Sequence, residues 1–163
     1  NNKYSEEFIR DYVNNNKLDI YDWDIISLYQ KLSEEFIREF KDKVIWIYIS
    51  EYQILSEEFI REFKNYVEWS YISAYQVLSD IFIKEFKDNV NWHSLSYKQI
   101  LSESFIKEFK YKLNWHFICG NQILSINFID EMIKEGSIKE ECIKLLLENE
   151  KINQEELRSY LSI

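Results

Sequence analysis

The chain has 163 residues, of which 46% are hydrophobic, 17% aromatic and 30% charged, with a formal net charge of −9. This balance fits one folded, soluble domain with a substantial core, rather than a disordered tail. No apolar run approaches the roughly 18 residues that span a bilayer and the N-terminus has no basic stretch leading into an apolar one, so a cytoplasmic location without membrane contact is expected.

In chain order, the first unit opens at Ser5 and reaches Trp23 only after the polar stretch Asn14-Asn15-Asn16-Lys17, an insertion of five residues relative to its neighbours. The phrase then becomes regular: LSEEFIREFKDKVIWIYISEYQI from Leu32, LSEEFIREFKNYVEWSYISAYQV from Leu55, LSDIFIKEFKDNVNWHSLSYKQI from Leu78 and LSESFIKEFKYKLNWHFICGNQI from Leu101. Trp23, Trp46, Trp69, Trp92 and Trp115 recur every 23 residues, the mark of an internal-repeat protein.

Each unit carries the signals of two short helices. Ser33 is a good N-cap, and Glu34 and Glu35 suit the positive end of the helix dipole. Phe36, Ile37, Phe40 and Val44 then predict one apolar stripe along a first helix. A second helix is predicted to begin just before the tryptophan, capped by Asp22, Asn91 or Asn114, with Trp46, Ile49 and Tyr52 spaced along it. Helices of about ten and about eight residues are marginal alone, since isolated helices below roughly 12 residues barely persist in water. Stacking must stabilise them, which predicts an all-α fold, an α-solenoid of short helical pairs. We expect a single repeat domain over residues 1–163: an N-terminal repeat with the insertion (1–31), regular repeats (32–125) and a C-terminal helical cap (126–163). In the cap Ile138 stands at the tryptophan step, Ser137 is expected to cap one helix and Asn153 another, and Glu148, Glu150, Glu155 and Glu156 would make the outer side polar.

Residues repeated in every unit read as packing. The tryptophans are expected in the core. Gln30, Gln53, Gln76, Gln99 and Gln122 are expected to hydrogen-bond neighbouring turns. Cys119 replaces a repeated serine (Ser27, Ser50, Ser73, Ser96) and reads as a small buried side chain; with Cys142 as the only other cysteine, neither a disulfide framework nor a zinc site is expected.

Function is sought in what varies. The positions after each tryptophan, and three residues on, bring Tyr48, Glu51, Tyr71, His93, Tyr97, His116 and Phe117 to the second helices, and these are the candidate partner-binding residues. His93 and His116 lack the third ligand that a shared metal would need, so no metal site is assigned. Arg38, Arg61, Lys84 and Lys107, with Lys41, Lys64, Lys87 and Lys110, would draw a basic stripe along the first helices. Glu39, Glu62, Glu85 and Glu108 run beside it, so ion pairing is favoured over a nucleic-acid groove, and direct nucleic-acid binding is not expected. The sequence has no Gly-rich phosphate loop or nucleophile elbow, so neither catalysis nor a cofactor is expected.

The phrase LSEEFIREFKDKV-x-W-x-x-IS-x-YQ resembles short tandem repeats in proteins of giant DNA viruses and of low-GC bacteria and their phages, over about residues 5–125. The resemblance implies a repeat scaffold and carries over no catalytic residue. The expected function is therefore non-catalytic display of a variable face to a macromolecular partner, a protein before any other. Two alternatives remain at this level: an acidic viral or phage inhibitor of a host defence nuclease, of anti-CRISPR type, and a structural module that assembles with itself. The sequence leaves the oligomeric state open.

Overall fold

The computed structural model describes residues 4–15 and 20–162, and these hold thirteen helices and no strand. They fall into two compact units, one within residues 1–77 and one within 78–163. The first contains α1 (Glu6–Asn14), α2 (Ile20–Tyr29), α3 (Glu34–Glu39), α4 (Trp46–Tyr52), α5 (Glu57–Glu62) and α6 (Trp69–Tyr75). The second contains α7 (Asp80–Glu85), α8 (Trp92–Lys98), α9 (Glu103–Glu108), α10 (Trp115–Asn121), α11 (Ile126–Lys134), α12 (Glu140–Glu148) and α13 (Gln154–Leu161). Each is a run of stacked helical pairs of the α-solenoid class, α2 packing on α4 and α4 on α6, α8 on α10 and α10 on α12.

The serine caps form as expected. Ser5, Ser33, Ser56, Ser79, Ser102 and Ser125 all sit in extended backbone, and each side chain accepts from the N–H three residues on. The first helices are shorter than predicted, six residues from α3 to α9, because the chain leaves helical geometry at Phe40 (φ −110°, ψ 28°) and its counterparts. The Phe40 carbonyl then accepts from both Lys43 and Val44, a turn that still buries Val44. The same turn lets Trp46 Nε1 donate to Lys41 O at 2.9 Å. Trp23 is buried while Trp46, Trp69, Trp92 and Trp115 are half-buried, so the core reading holds fully for Trp23 and in part for the other four.

Two further expectations are corrected. Asp22 lies in the first turn of α2, which starts at Ile20, and so is not its N-cap. Ser137 caps nothing: Gly136 turns left-handed (φ 78°), and the Ser137 and Ile138 N–H groups close α11 by donating to Met132 O. Helix α12 therefore starts from Lys139 without a side-chain cap. Asn153 does cap α13.

Repeated polar residues join each pair to the one before. Gln53 Nε2 donates to Ser27 O (3.2 Å) and Gln30 O (2.9 Å), and Oε1 accepts from Leu32 N–H (2.9 Å). Gln76 repeats this on Ser50, Gln53 and Leu55. In the second unit Gln122 holds Gln99 O and Leu101 N–H. Asn149 then takes over, donating to Cys119 O and Gln122 O at 2.9 Å each. Gln154 follows on Leu146 O and Asn149 O, but its Oε1 is buried without a partner, since Lys151 N–H donates to Asn149 Oδ1 instead. The repeated serine also bridges pairs: Ser50 Oγ donates to Trp46 O and accepts from Glu68 N–H.

Cys119 in that serine position is fully buried, as expected, and Cys142 adjoins it. Burial first, and then the neighbouring Cys142, push the Cys119 thiol well above its ordinary range. Because the folded chain favours the protonated thiol, its contribution to stability is present at neutral pH and is lost as pH rises past the ordinary thiol value. Native Cys119 is expected to resist iodoacetamide at neutral pH and to react at the normal rate in denaturant; mass spectrometry of alkylated peptides checks this, and rapid native labelling would contradict it.

Candidate interaction surface

The candidate residues lie on the second helices, and the unit boundary divides them. In the first unit, Tyr48 and Tyr71 are half-buried and each lies against a tyrosine four residues on: Tyr48 and Tyr52 have ring centroids 6.4 Å apart, Tyr71 and Tyr75 6.1 Å. This is the helical i,i+4 spacing placing two rings on one face. The neighbouring Glu51 carboxylate holds the Tyr52 phenol above its usual range. Tyr52 and Tyr75 were missed as surface residues because their regular place in the repeat resembled core.

In the second unit the structure brings four candidates together. Phe117, on α10, meets His93 edge-on at 4.9 Å, Tyr97 at 5.0 Å and His116 edge-on at 5.5 Å. Two of these rings come from α8 and two from α10, so stacking one repeat on the next assembles the cluster. His93, Tyr97 and His116 are exposed and Phe117 is half-buried. Beside them an open recess of about 250 Å³ is lined by Tyr97, His116, Phe117, Gly120, Asn121, Leu145 and Glu148. Gly120 leaves it open, for a Cβ there would meet nothing within 4 Å. The histidines thus flank one phenylalanine ring. Among the described residues no group of three His, Cys, Asp or Glu side chains is placed to hold a metal ion.

A second set of exposed apolar groups escaped the sequence reading. Ile54 and Val77 in the first unit, and Ile100 and Ile123 in the second, stand between a buried glutamine and a buried leucine and are 59% to 93% exposed. The backbone at Gln53 is extended (φ −89°, ψ 151°), so successive side chains alternate, and a residue between two inward ones must face out. The alternation Gln-Ile-Leu-Ser was the available signal.

The basic stripe resolves into a ladder between repeats. Arg10 pairs with Glu39 (2.7 Å) and Arg38 with Glu62 (2.8 Å) in the first unit, and Lys84 pairs with Glu108 (2.6 Å) and Lys107 with Glu131 in the second. Lys110 pairs with Glu135 at 2.6 Å. The hydrogen bond to Glu39 raises the Arg10 pKa, and that to Glu62 raises the Arg38 pKa. A further acidic row caps neighbours: Glu6 accepts from Ser33 N–H, Glu34 from Ser56 N–H and Glu103 from Ser125 N–H. These cations and acids are engaged with each other along the first helices.

Among the described residues no helix is long and apolar enough to cross a membrane. Comparison with protein-family models, with curated proteins and with solved structures found no match.

Proposed function

We propose that the chain is a non-catalytic helical-repeat binding protein that holds a protein partner on its second-helix face. The observation that carries this reading is the cluster of His93, Tyr97, His116 and Phe117 around an open recess. Aromatic side chains beside a concavity are the usual anchors of protein interfaces, and fixing them by stacking limits the entropy lost on association. A protein partner is favoured over nucleic acid by the net charge of −9 and by the pairing of the first-helix cations with glutamates of the following repeat.

The test uses the full chain as bait in a nuclease-treated lysate, beside three variants: Tyr97→Ala with Phe117→Ala, Gly120→Phe, and Tyr48→Ala with Tyr71→Ala. A Cβ at Gly120 meets nothing within 4 Å, and Gly120→Phe is expected to occupy the recess with its helical circular dichroism unchanged. The expected result is one partner captured by the parent and lost by the first two variants, with affinity reduced about 30-fold, as loss of an aromatic anchor worth about 2 kcal/mol implies. Loss in the third variant as well would extend the contact to the first unit. Capture undiminished in all three would overturn the proposal.

A further inference from the structure

Where α10 meets α12 the repeated serine gives way to a pair of thiols. At two earlier junctions the serine hydroxyl has a partner on either side. Ser50 Oγ donates to Trp46 O (2.8 Å) and Ser96 Oγ to Trp92 O (2.7 Å). Glu68 N–H and Asn114 N–H, each eighteen residues on, donate back to those hydroxyls at 2.9 Å. Cys119 breaks this pattern, for Ser137, eighteen residues beyond it, turns its N–H to Met132 O. The Cys142 thiol comes over from α12 instead. Its Sγ lies 3.9 Å from Trp115 O, the carbonyl that a serine at position 119 would engage, and it adjoins the Cys119 thiol.

These are the two cysteines of the chain, and they sit on helices that pack against each other. Their surroundings differ. Cys119 is 0% exposed, whereas Cys142 forms part of the wall of an open recess of about 480 Å³, with Trp115, His116, Ser137 and Lys139. Cys142 is therefore the thiol that a small solute meets first.

We propose that Cys119 and Cys142 form a peroxide-sensitive dithiol site, in which Cys142 is oxidised first and Cys119 then closes a disulfide between α10 and α12. In the first step the Cys142 thiolate attacks one oxygen of hydrogen peroxide; an S–O bond forms, the O–O bond breaks, and the departing hydroxide takes up the Cys142 proton and leaves as water. In the second, the Cys119 sulfur attacks Cys142 Sγ, the new S–O bond breaks, and hydroxide leaves with the Cys119 proton as a second water. The two thiols give up two electrons and the peroxide accepts them. Burial keeps the Cys119 thiol protonated, which slows the second step without preventing it, since the two sulfurs are neighbours before the reaction begins. The site is separate from the partner-binding reading, and its test needs no partner.

The experiment treats the full chain with hydrogen peroxide under native conditions, removes the peroxide with catalase, and alkylates in denaturant for mass spectrometry. The expected result is a monomer lighter by two hydrogens than the reduced chain, closed to alkylation at both cysteines. A peptide pair linked through Cys119 and Cys142 should be found, and dithiothreitol should return both thiols. The Tm of the oxidised chain should exceed that of the reduced one, because the link ties α12 to α10. Cys119→Ser restores the residue of the other repeats at this position and should keep the fold; after peroxide it should carry a sulfenic acid on Cys142 that dimedone traps. Both thiols still open to alkylation, a link found only between two copies, or a Tm lowered by the link would each overturn the proposal. Absence of a dimedone adduct in folded Cys119→Ser would overturn it as well, by removing Cys142 as the first thiol to react.

Discussion

Phe59→Ala is expected to lower folding stability by about 3–5 kcal/mol, the range for removing a fully buried phenylalanine ring. The ring is 0% exposed, lies 4.6 Å from Phe63 and 6.3 Å from Trp46 by centroids, and carries the Arg38 guanidinium at 5.0 Å. Its loss removes contact surface from two repeats at once, and the surrounding rings are too large to close the gap by small rotations. The control is Phe8→Ala, the same repeat position in α1, where the ring is 45% exposed and the cost should stay below about 1 kcal/mol. Urea denaturation followed by circular dichroism measures both. Equal costs would mean that a preceding repeat contributes nothing to the phenylalanine site, contrary to the packing described.

The contrast between these two positions shows which parts of the fold a one-dimensional reading reaches. The serine caps, the glutamine contacts to a neighbouring turn and the buried Cys119 were legible because each depends on a residue type within one turn or at a fixed period. The early end of the first helix was not, because Phe36, Phe40 and Val44 keep helical spacing whether the last residue is reached through a helix or through the turn on Phe40 O. Ion pairing was expected along the stripe, but its register was hidden: Arg38 adjoins Glu39 in sequence, yet it pairs with Glu62, a partner that only stacking selects. Asn149 could not be matched to the glutamines, since it follows Gln122 by 27 residues rather than 23 and has a shorter side chain. In the candidate site, position-by-position variation pointed to His93, Tyr97, His116 and Phe117. Their convergence on one ring required the offset between α8 and α10.

The other large effect is expected at Gln53, where one buried side chain meets three backbone groups of the preceding turn. Gln53→Ala would leave Ser27 O, Gln30 O and Leu32 N–H unmet, and at about 1–3 kcal/mol for a buried group left without a partner the loss should be on the order of 3 kcal/mol, part of it recovered if water enters. Gln53→Glu separates hydrogen bonding from packing, because it keeps the shape and the acceptor for Leu32 but points a carboxylate oxygen at two carbonyl oxygens. At neutral pH this variant should be less stable than Gln53→Ala, since it adds a buried charge to the two unmet carbonyls. Protonation restores one donor, so the folded state favours the neutral acid and holds its pKa above the unfolded value. The stabilising contribution is then fully present below the ordinary carboxylate range and is lost as pH rises through the folded pKa. The difference between Gln53→Glu and the parent, measured as urea midpoints at several pH values, should therefore narrow towards about pH 4 and widen above it, while Gln53→Ala stays parallel to the parent. A pH-independent deficit in Gln53→Glu would mean that the side chain is solvated and that the ladder from Gln53 to Gln76 does not clamp successive repeats.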